Sequence, residues 1–319
     1  MRRHVLQATG LAVAAAVALT ACGGSGEAGS AADASAAAAD DAFPRTVEHA
    51  MGETEIPDRP ERVVVLDTGE LDSALSLGVT PVGAVTTAVS EDFLSYLAEG
   101  AADVERVGTI AEPNLEAIAA LQPDLILSNK VRHEDIYAQL SQIAPTVFAE
   151  RVGAVWKDNF GLAAESLGLE DEAASALADY ERAAARLGES MGDPAGTTVS
   201  PLRFVAGTIR AYQPGSFIGT VLADIGLSQV ELPTGEVPTF AEISAEELTA
   251  ADADIVLHSS YGPAEDSGAA TVLGGPLWPR LGAVQSGQAY PVEDDVFFTG
   301  IGLTAATLIV EHLTEHLAA

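Results

Sequence analysis

The sequence predicts an α/β fold, two doubly wound lobes joined by one long α-helix with a ligand cleft between them, and three features carry that prediction. Short apolar runs such as Arg62-Val-Val-Val-Leu66 and Asp124–Leu127 alternate with capped amphipathic segments, the rhythm of parallel strands covered by helices on both faces. Glu170–Met191 places Leu177, Tyr180, Ala184 and Leu187 at steps of three and four, one apolar stripe on a rod of roughly 30 Å. Glu170, Asp171 and Glu172 crowd its start and Arg182 and Arg186 follow, the order the helix dipole favours, before Gly192 and Pro194 stop it. Segments of similar length and rhythm lie on either side.

Taken in order, the chain opens with a basic Met1-Arg-Arg-His4 and an apolar stretch, Val5–Ala21, too short and small-residued for a comfortable membrane span. It ends Leu19-Thr20-Ala21-Cys22, similar to a bacterial lipoprotein signal (1–21), whose removal leaves Cys22 as a lipidated first residue. Cys22 is the single cysteine, so it has no disulfide partner within the chain. Residues 22–42, rich in Gly, Ser, Ala and Asp, read as a disordered tether. The expected location is extracytoplasmic, with the lipid as the only membrane contact. Fifteen basic against 47 acidic residues give a formal net charge of −32, which repels nucleic acid and anionic membranes.

The first lobe is expected over 43–168. Thr46–His49 reads as an edge strand. Asp67-Thr68 caps a helix Glu70–Leu77, and Pro81–Val85 and Val104–Val107 continue the sheet. Asn114 caps Leu115–Leu121, and after Asp124–Leu127 come a helix Glu134–Ile143 and a strand Thr146–Phe148. Val155–Leu167 is helical and Gly168 closes it. The inter-lobe helix takes 169–193 and the second lobe 194–319. That lobe has strands Leu202–Ala206, Asp254–Leu257 and Ala289–Val292, helices Phe217–Asp224, Ala245–Leu248 and Leu303–Leu317, and no evident repeat of the first.

In open α/β sheets ligands sit beyond the carboxyl ends of the strands. That rule selects the loops Asp67–Gly69, Ser128–His133, Gly207–Tyr212 and His258–Gly262. Only two lysines occur in the chain, Lys130 and Lys157, so Lys130, Arg132 and Arg210 in these loops stand out. With Tyr212 and Tyr261 beside them they suit an anionic, partly apolar ligand; the plain alternative is that Lys130 and Arg132 pair with Glu134 and Asp135. His133 and His258 lack further ligands for a metal and are expected to cap or hydrogen-bond. Trp156 and Trp278 are either cleft walls or core. Gly300-Ile-Gly302-Leu-Thr-Ala305 follows no strand, so it reads as a helix entry. Gly215-Ser216-Phe-Ile-Gly219 sets its serine one position early for a hydrolase elbow.

Ser128–Phe148 (SNKVRHEDIYAQLSQIAPTVF), Pro60-Glu-Arg-Val-Val-Val with Gly69-Glu70-Leu71-Asp72, Trp156–Gly168, Ile209-Arg210-Ala-Tyr212 with Ser216-Phe217, and Gly300–Ala305 together resemble iron–siderophore ABC transporter substrate-binding lipoproteins. These are periplasmic-binding-class proteins, alongside ferric citrate, hydroxamate and vitamin B12 binders. The resemblance runs from about Phe43 to the end. It implies a non-enzymatic monomer, without resident cofactor or metal ligand, that holds an Fe(III)-siderophore and delivers it to an ABC permease. Ligand contacts are then expected from Lys130, Arg132, His133, Trp156, Arg210, Tyr212 and Tyr261. Permease docking is expected from one carboxylate per lobe, Glu70 and Glu246, with Glu247 as the alternative to Glu246. Relatives often carry a tryptophan near Asp294–Thr299, where this chain has Val296-Phe297-Phe298. Cobalamin or haem binding on the same scaffold is the second expectation; an exported hydrolase lacks any supporting motif.

Overall fold

The computed structural model describes residues 43–235 and 238–317; the signal, Cys22 and the tether lie outside them. The chain enters as an antiparallel hairpin, β1 (Arg45–His49) and β2 (Gly52–Ile56). The return strand, GETEI, is too polar to be read as a strand from sequence; Val47 and Ile56 are the hairpin's contribution to the core.

The first lobe comprises β3 (Val63–Val65), α1 (Thr68–Ser76), β4 (Gly83–Thr86), β5 (Glu105–Thr109), α2 (Leu115–Ala120), β6 (Leu125–Asn129), α3 (Lys130–His133), β7 (Thr146–Ala149) and α4 (Trp156–Leu167). Its five strands are all parallel, in the order β5-β4-β3-β6-β7. β3, β4, β6 and β7 are buried along their whole length because apolar clusters cover both faces of the sheet. The helix expected over Glu134–Ile143 is broken into a 3₁₀ turn at Glu134–Ile136 and a helical turn at Tyr137–Leu140. His133 is tied to neighbouring elements at this junction, and Tyr137 packs edge-on against Phe148, 5.0 Å between centroids.

The long helix α5 (Glu170–Met191) leads to the second lobe. This has β8 (Thr198–Val205), β9 (Thr208–Tyr212), α6 (Phe217–Ile225), β10 (Ser228–Gln229), β11 (Phe240–Ile243), β12 (Ile255–Ser260), β13 (Ala289–Pro291) and α7 (Leu303–Leu317). The sheet runs β11-β9-β8-β12-β13, with β10 beside the start of β8; β8, β12 and β13 are parallel, while β9 runs antiparallel to both its neighbours, β8 and β11. Gly207–Tyr212, read as a loop from sequence, is therefore mostly strand. Its alternation of polar Thr208 and Arg210 with buried Ile209 and Ala211 is a half-buried strand pattern.

The buried stripe of α5 (Ala173, Tyr180, Ala184, Leu187) shares one core with Trp156 and Phe160 of α4, Val221 and Leu222 of α6, and Ile309 and Val310 of α7. Gly188 lets α5 meet α6 closely: a Cβ there would lie 2.2 Å from the Ile225 carbonyl oxygen. A second tie crosses between lobes. The buried Asp72 of α1 accepts from the Thr304 and Ala305 amides at 2.9 and 3.1 Å, capping the start of α7, and from Ser76 and Tyr96 hydroxyls at 3.0 Å. Gly302, at φ +144°, makes room for that carboxylate; a Cβ would sit 2.5 Å from its Cγ.

A repeat is present after all. Asn114–Ser128 and Ser244–His258 align without a gap. Asn114 accepts from Ala117 N–H at 3.0 Å to cap α2, while Ser244 and Glu247 form a capping box on the 3₁₀ turn Ala245–Ala251. Ile118 and Leu248 are buried alike. Asp124 accepts the amides of Glu61 and Arg62 (2.8 and 2.9 Å), and Asp254 accepts Thr198 N–H and Oγ1–H (2.8 and 2.7 Å). Each aspartate fastens the start of its lobe's central strand.

Candidate functional site

The carboxyl ends of the first lobe's strands form one edge, and two depressions lie along it. One, of about 270 Å³, lies between lobes. It is lined by Thr87–Leu94 beyond β4, by Ser260–Gly262 beyond β12, and by Asp294, Asp295 and Thr299. The other, of about 550 Å³, lies beyond β6 and β7 and is lined by Lys130, Val131, Arg132, Glu134, Asp135, Glu150 and Arg151. Asp67-Thr68-Gly69, after the central β3, stand between the two. The large apolar side chains exposed among the described residues, Val89 (51 %) and Val131 (60 %), fall one in each.

Lys130 and Arg132 line the outer depression. Neither pairs with Glu134 or Asp135: Lys130 Nζ reaches Glu150 at 3.3 Å, and Arg132 Nε donates to Asp67 Oδ2 at 3.2 Å with its side chain still 44 % exposed. Arg151, passed over in the sequence, is the third cation there. Tyr261 lines the inter-lobe depression, with Arg203 stacked behind its ring at 4.2 Å. Arg203 is the second cation that sequence reading missed, because it sits inside the apolar run Leu202–Val205. Its buried guanidinium grips both carboxylate oxygens of Asp294, reaches Thr299 Oγ1, and donates to the Tyr212 hydroxyl at 3.3 Å. Arg210 is the register partner of Arg203 across β8 and β9, so the two side chains share a face. Arg210 stacks on Phe240 at 4.4 Å and pairs with Glu242 at 3.3 Å.

Four sequence expectations are corrected here. Trp156 is a core pillar, 2 % exposed, set edge-on to Tyr180 and Phe217, with Nε1 donating to Thr220 at 3.0 Å. Tyr212 is buried against Phe240 and Phe298 and offers its hydroxyl to Arg203, so it supports the site from beneath. His133 has both ring nitrogens occupied, by Ser128 Oγ and the Ile110 carbonyl, each at 2.7 Å. Burial lowers its pKa and it stands as a neutral strut. Glu70 is 8 % exposed, with Oε1 accepting from Asn129 at 3.1 Å, so it cannot present a carboxylate to an external arginine. Burial, then the neighbouring Asp67 charge, raise its pKa to about 8.

Glu246 is exposed, whereas Glu247 is committed to the Ser244 cap. The first-lobe residue in register with Glu246 is Glu116, exposed on the first turn of α2. Trp278 lies on the far face of the second sheet against His258, 5.0 Å between rings. One H-x-x-x-H spacing, overlooked in sequence, occurs at His312 and His316 on α7. Those rings stack on each other at 4.4 Å, and among the described residues no group of three or more His, Cys, Asp or Glu could hold a metal ion. Nor is any described helix long and apolar enough to cross a membrane.

This geometry, two α/β lobes with a cation- and aromatic-lined groove at their strand ends, coincides with a match over residues 63–296 to the family described as periplasmic binding protein. The chain belongs to that family. It is 38 % identical to the probable siderophore-binding lipoprotein YfiY of Bacillus subtilis, covering 85 % of this chain and 87 % of the relative. It is 31 % identical to the Fe(3+)-citrate-binding protein YfmC of the same organism, covering 81 % of each. The crystal structure of Staphylococcus aureus SirA complexed with staphyloferrin B matches with a TM-score of 0.75 and 31 % identity, covering 85 % of this chain and 97 % of that one.

Proposed function

We propose that this protein is an extracytoplasmic, lipid-anchored receptor that captures a ferric siderophore and delivers it to an ABC importer. The observation that carries the reading is the pair of depressions along the strand ends, one lined by Lys130, Arg132 and Arg151 and the other by Tyr261, in a chain this similar to YfiY and SirA. Cations and an aromatic face suit the oxygen-rich, anionic shell of a chelate whose iron is already fully wrapped, so the protein needs no metal ligands of its own. Arg203 and Tyr212 then hold Tyr261 in place from below, and Arg210 flanks them. The anchor is Cys22.

For importer docking, the pair of exposed carboxylates that fits is Glu116 and Glu246, which the internal repeat puts at matching positions on the two lobes. Each is an exposed carboxylate on the first turn of a capped helical segment.

Isothermal titration calorimetry with Fe(III)-citrate, ferric staphyloferrin B, a ferric hydroxamate, a ferric tricatecholate, haem and cobalamin tests the ligand class. A ferric carboxylate or hydroxamate chelate should bind, and Arg132→Ala should weaken it about tenfold, the worth of one charge-assisted contact. Binding of cobalamin or haem alone would overturn the reading.

A further inference from the structure

Asp67, Glu70 and Arg132 meet at one amide. Asn129 Nδ2 donates to Asp67 Oδ2 at 3.0 Å and to Glu70 Oε1 at 3.1 Å, while Asn129 Oδ1 accepts from the Arg132 amide at 3.2 Å. Asp67 Oδ2 also receives Arg132 Nε. Glu70 Oε2 has no partner. Glu70 also lines a small, largely apolar cavity of about 20 Å³, enough for one water, with Ser73, Ser128, Trp156 and Asn159 as its polar neighbours there. Around Glu70 the titratable and charged groups are Asp67 at the start of α1, Arg132 and the neutral His133 on α3, and Asp72 two residues along α1, about half a turn round the helix and spent on capping α7. The elements packed from α4 and from Ile301-Gly302 bring no charge to the cavity.

We propose that Glu70 is a positioning residue for the ligand groove: a proton held on its carboxyl leaves Asp67 and Arg132 as a balanced pair, and loss of that proton draws Arg132 back from an anionic ligand. With the proton present, one negative and one positive charge face each other across Asn129. Without it, two carboxylates compete for a single guanidinium, and the added charge lies directly beneath the groove. The raised pKa of Glu70, about 8, puts this change at the alkaline edge of the physiological range. The inference rests on Arg132 contacting the ligand, as proposed above.

Phenylglyoxal labelling of arginine, followed by peptide mass spectrometry, reads Arg132 directly, with Arg151 in the same depression as the internal reference. Between about pH 6.5 and 9.5 the Arg132:Arg151 labelling ratio should fall about threefold in the wild-type protein and stay flat in Glu70→Gln. Asp67→Asn, which keeps a capping side chain, should shift the fall to lower pH. Calorimetry with Fe(III)-citrate should show the wild-type to Glu70→Gln affinity ratio dropping over the same range; taking the ratio cancels pH effects on the chelate. A flat wild-type labelling ratio, or an equal fall in Glu70→Gln, would overturn the coupling. If labelling behaves as expected but Arg132→Ala binds the chelate as tightly as wild type, the coupling stands. It is then the ligand contact that fails.

Discussion

A carboxyl group that is buried, beside a second carboxylate and bonded through only one oxygen holds its proton at neutral pH, and Glu70 meets all three conditions. This has a consequence for stability that is separate from ligand binding. In the unfolded chain Glu70 titrates near the ordinary glutamate value, so between about pH 4.5 and 8 the folded protein holds a proton that the unfolded chain has lost. Its contribution is therefore most favourable below about pH 4.5 and is lost progressively as pH rises towards 8. Glu70→Gln removes this titration and supplies an amide to the unpartnered oxygen's position. Urea denaturation should find the variant more stable at pH 7 by on the order of 2–3 kcal/mol, with the gain vanishing near pH 4. At the same scale, the distinction between Trp156 and Tyr261 was invisible in sequence. Both are aromatics near a strand or helix end, and only their partners, Thr220 for one and Arg203 for the other, separate core from groove.

At the scale of elements, the link between lobes is not the long helix alone. Asp72 caps α7 from α1, and both amides it receives belong to the first turn of a helix, 232 and 233 positions further along the chain. Removing it takes the acceptor away from both amides and from the Tyr96 hydroxyl, while the Ser76 hydroxyl keeps Thr304 Oγ1 at 2.8 Å. Asp72→Ala should cost about 3 kcal/mol, measurable by denaturant titration, and should loosen the seam between lobes. Hydrogen exchange should quicken at Thr304–Ala306 before it quickens in the strands of either sheet. Burial raises the Asp72 pKa, although the four hydrogen bonds oppose this. The same seam explains why Gly300–Ala305, read from sequence as a helix entry, needs Gly302: the glycine admits a carboxylate from the other lobe.

For the whole molecule, the repeat relating Asn114–Ser128 to Ser244–His258 sets the two lobes as variations on one unit, each with a capped helical turn, a strand-fastening aspartate and a parallel central strand. Glu116 and Glu246 are the exposed carboxylates this relation pairs. Replacing both by arginine should abolish uptake of ⁵⁹Fe-chelate by cells that depend on this receptor, while leaving chelate affinity within about twofold of wild type, as expected for surface charges away from the groove. Loss of affinity in the double variant would place these residues in the binding site instead. The single variants should each fall between, because each removes one of the two proposed docking carboxylates.

The sequence by itself determined the fold class, the order of most elements, the extent of the long helix and the resemblance that names the family. All of these follow from local periodicity, capping residues and glycine stops, which are written within a few positions of the element they shape. It failed where the signal was mixed, as in the polar strand GETEI, the half-buried strand after Gly207, and the helix broken at Ile136. Only the tertiary structure decided which polar residues face the groove. Arg132 depends on Asp67, Arg203 on Asp294, and Asp72 on Thr304, each far away in the chain. A buried charge is defined by the partner that satisfies it, and no pattern along the chain records that partner.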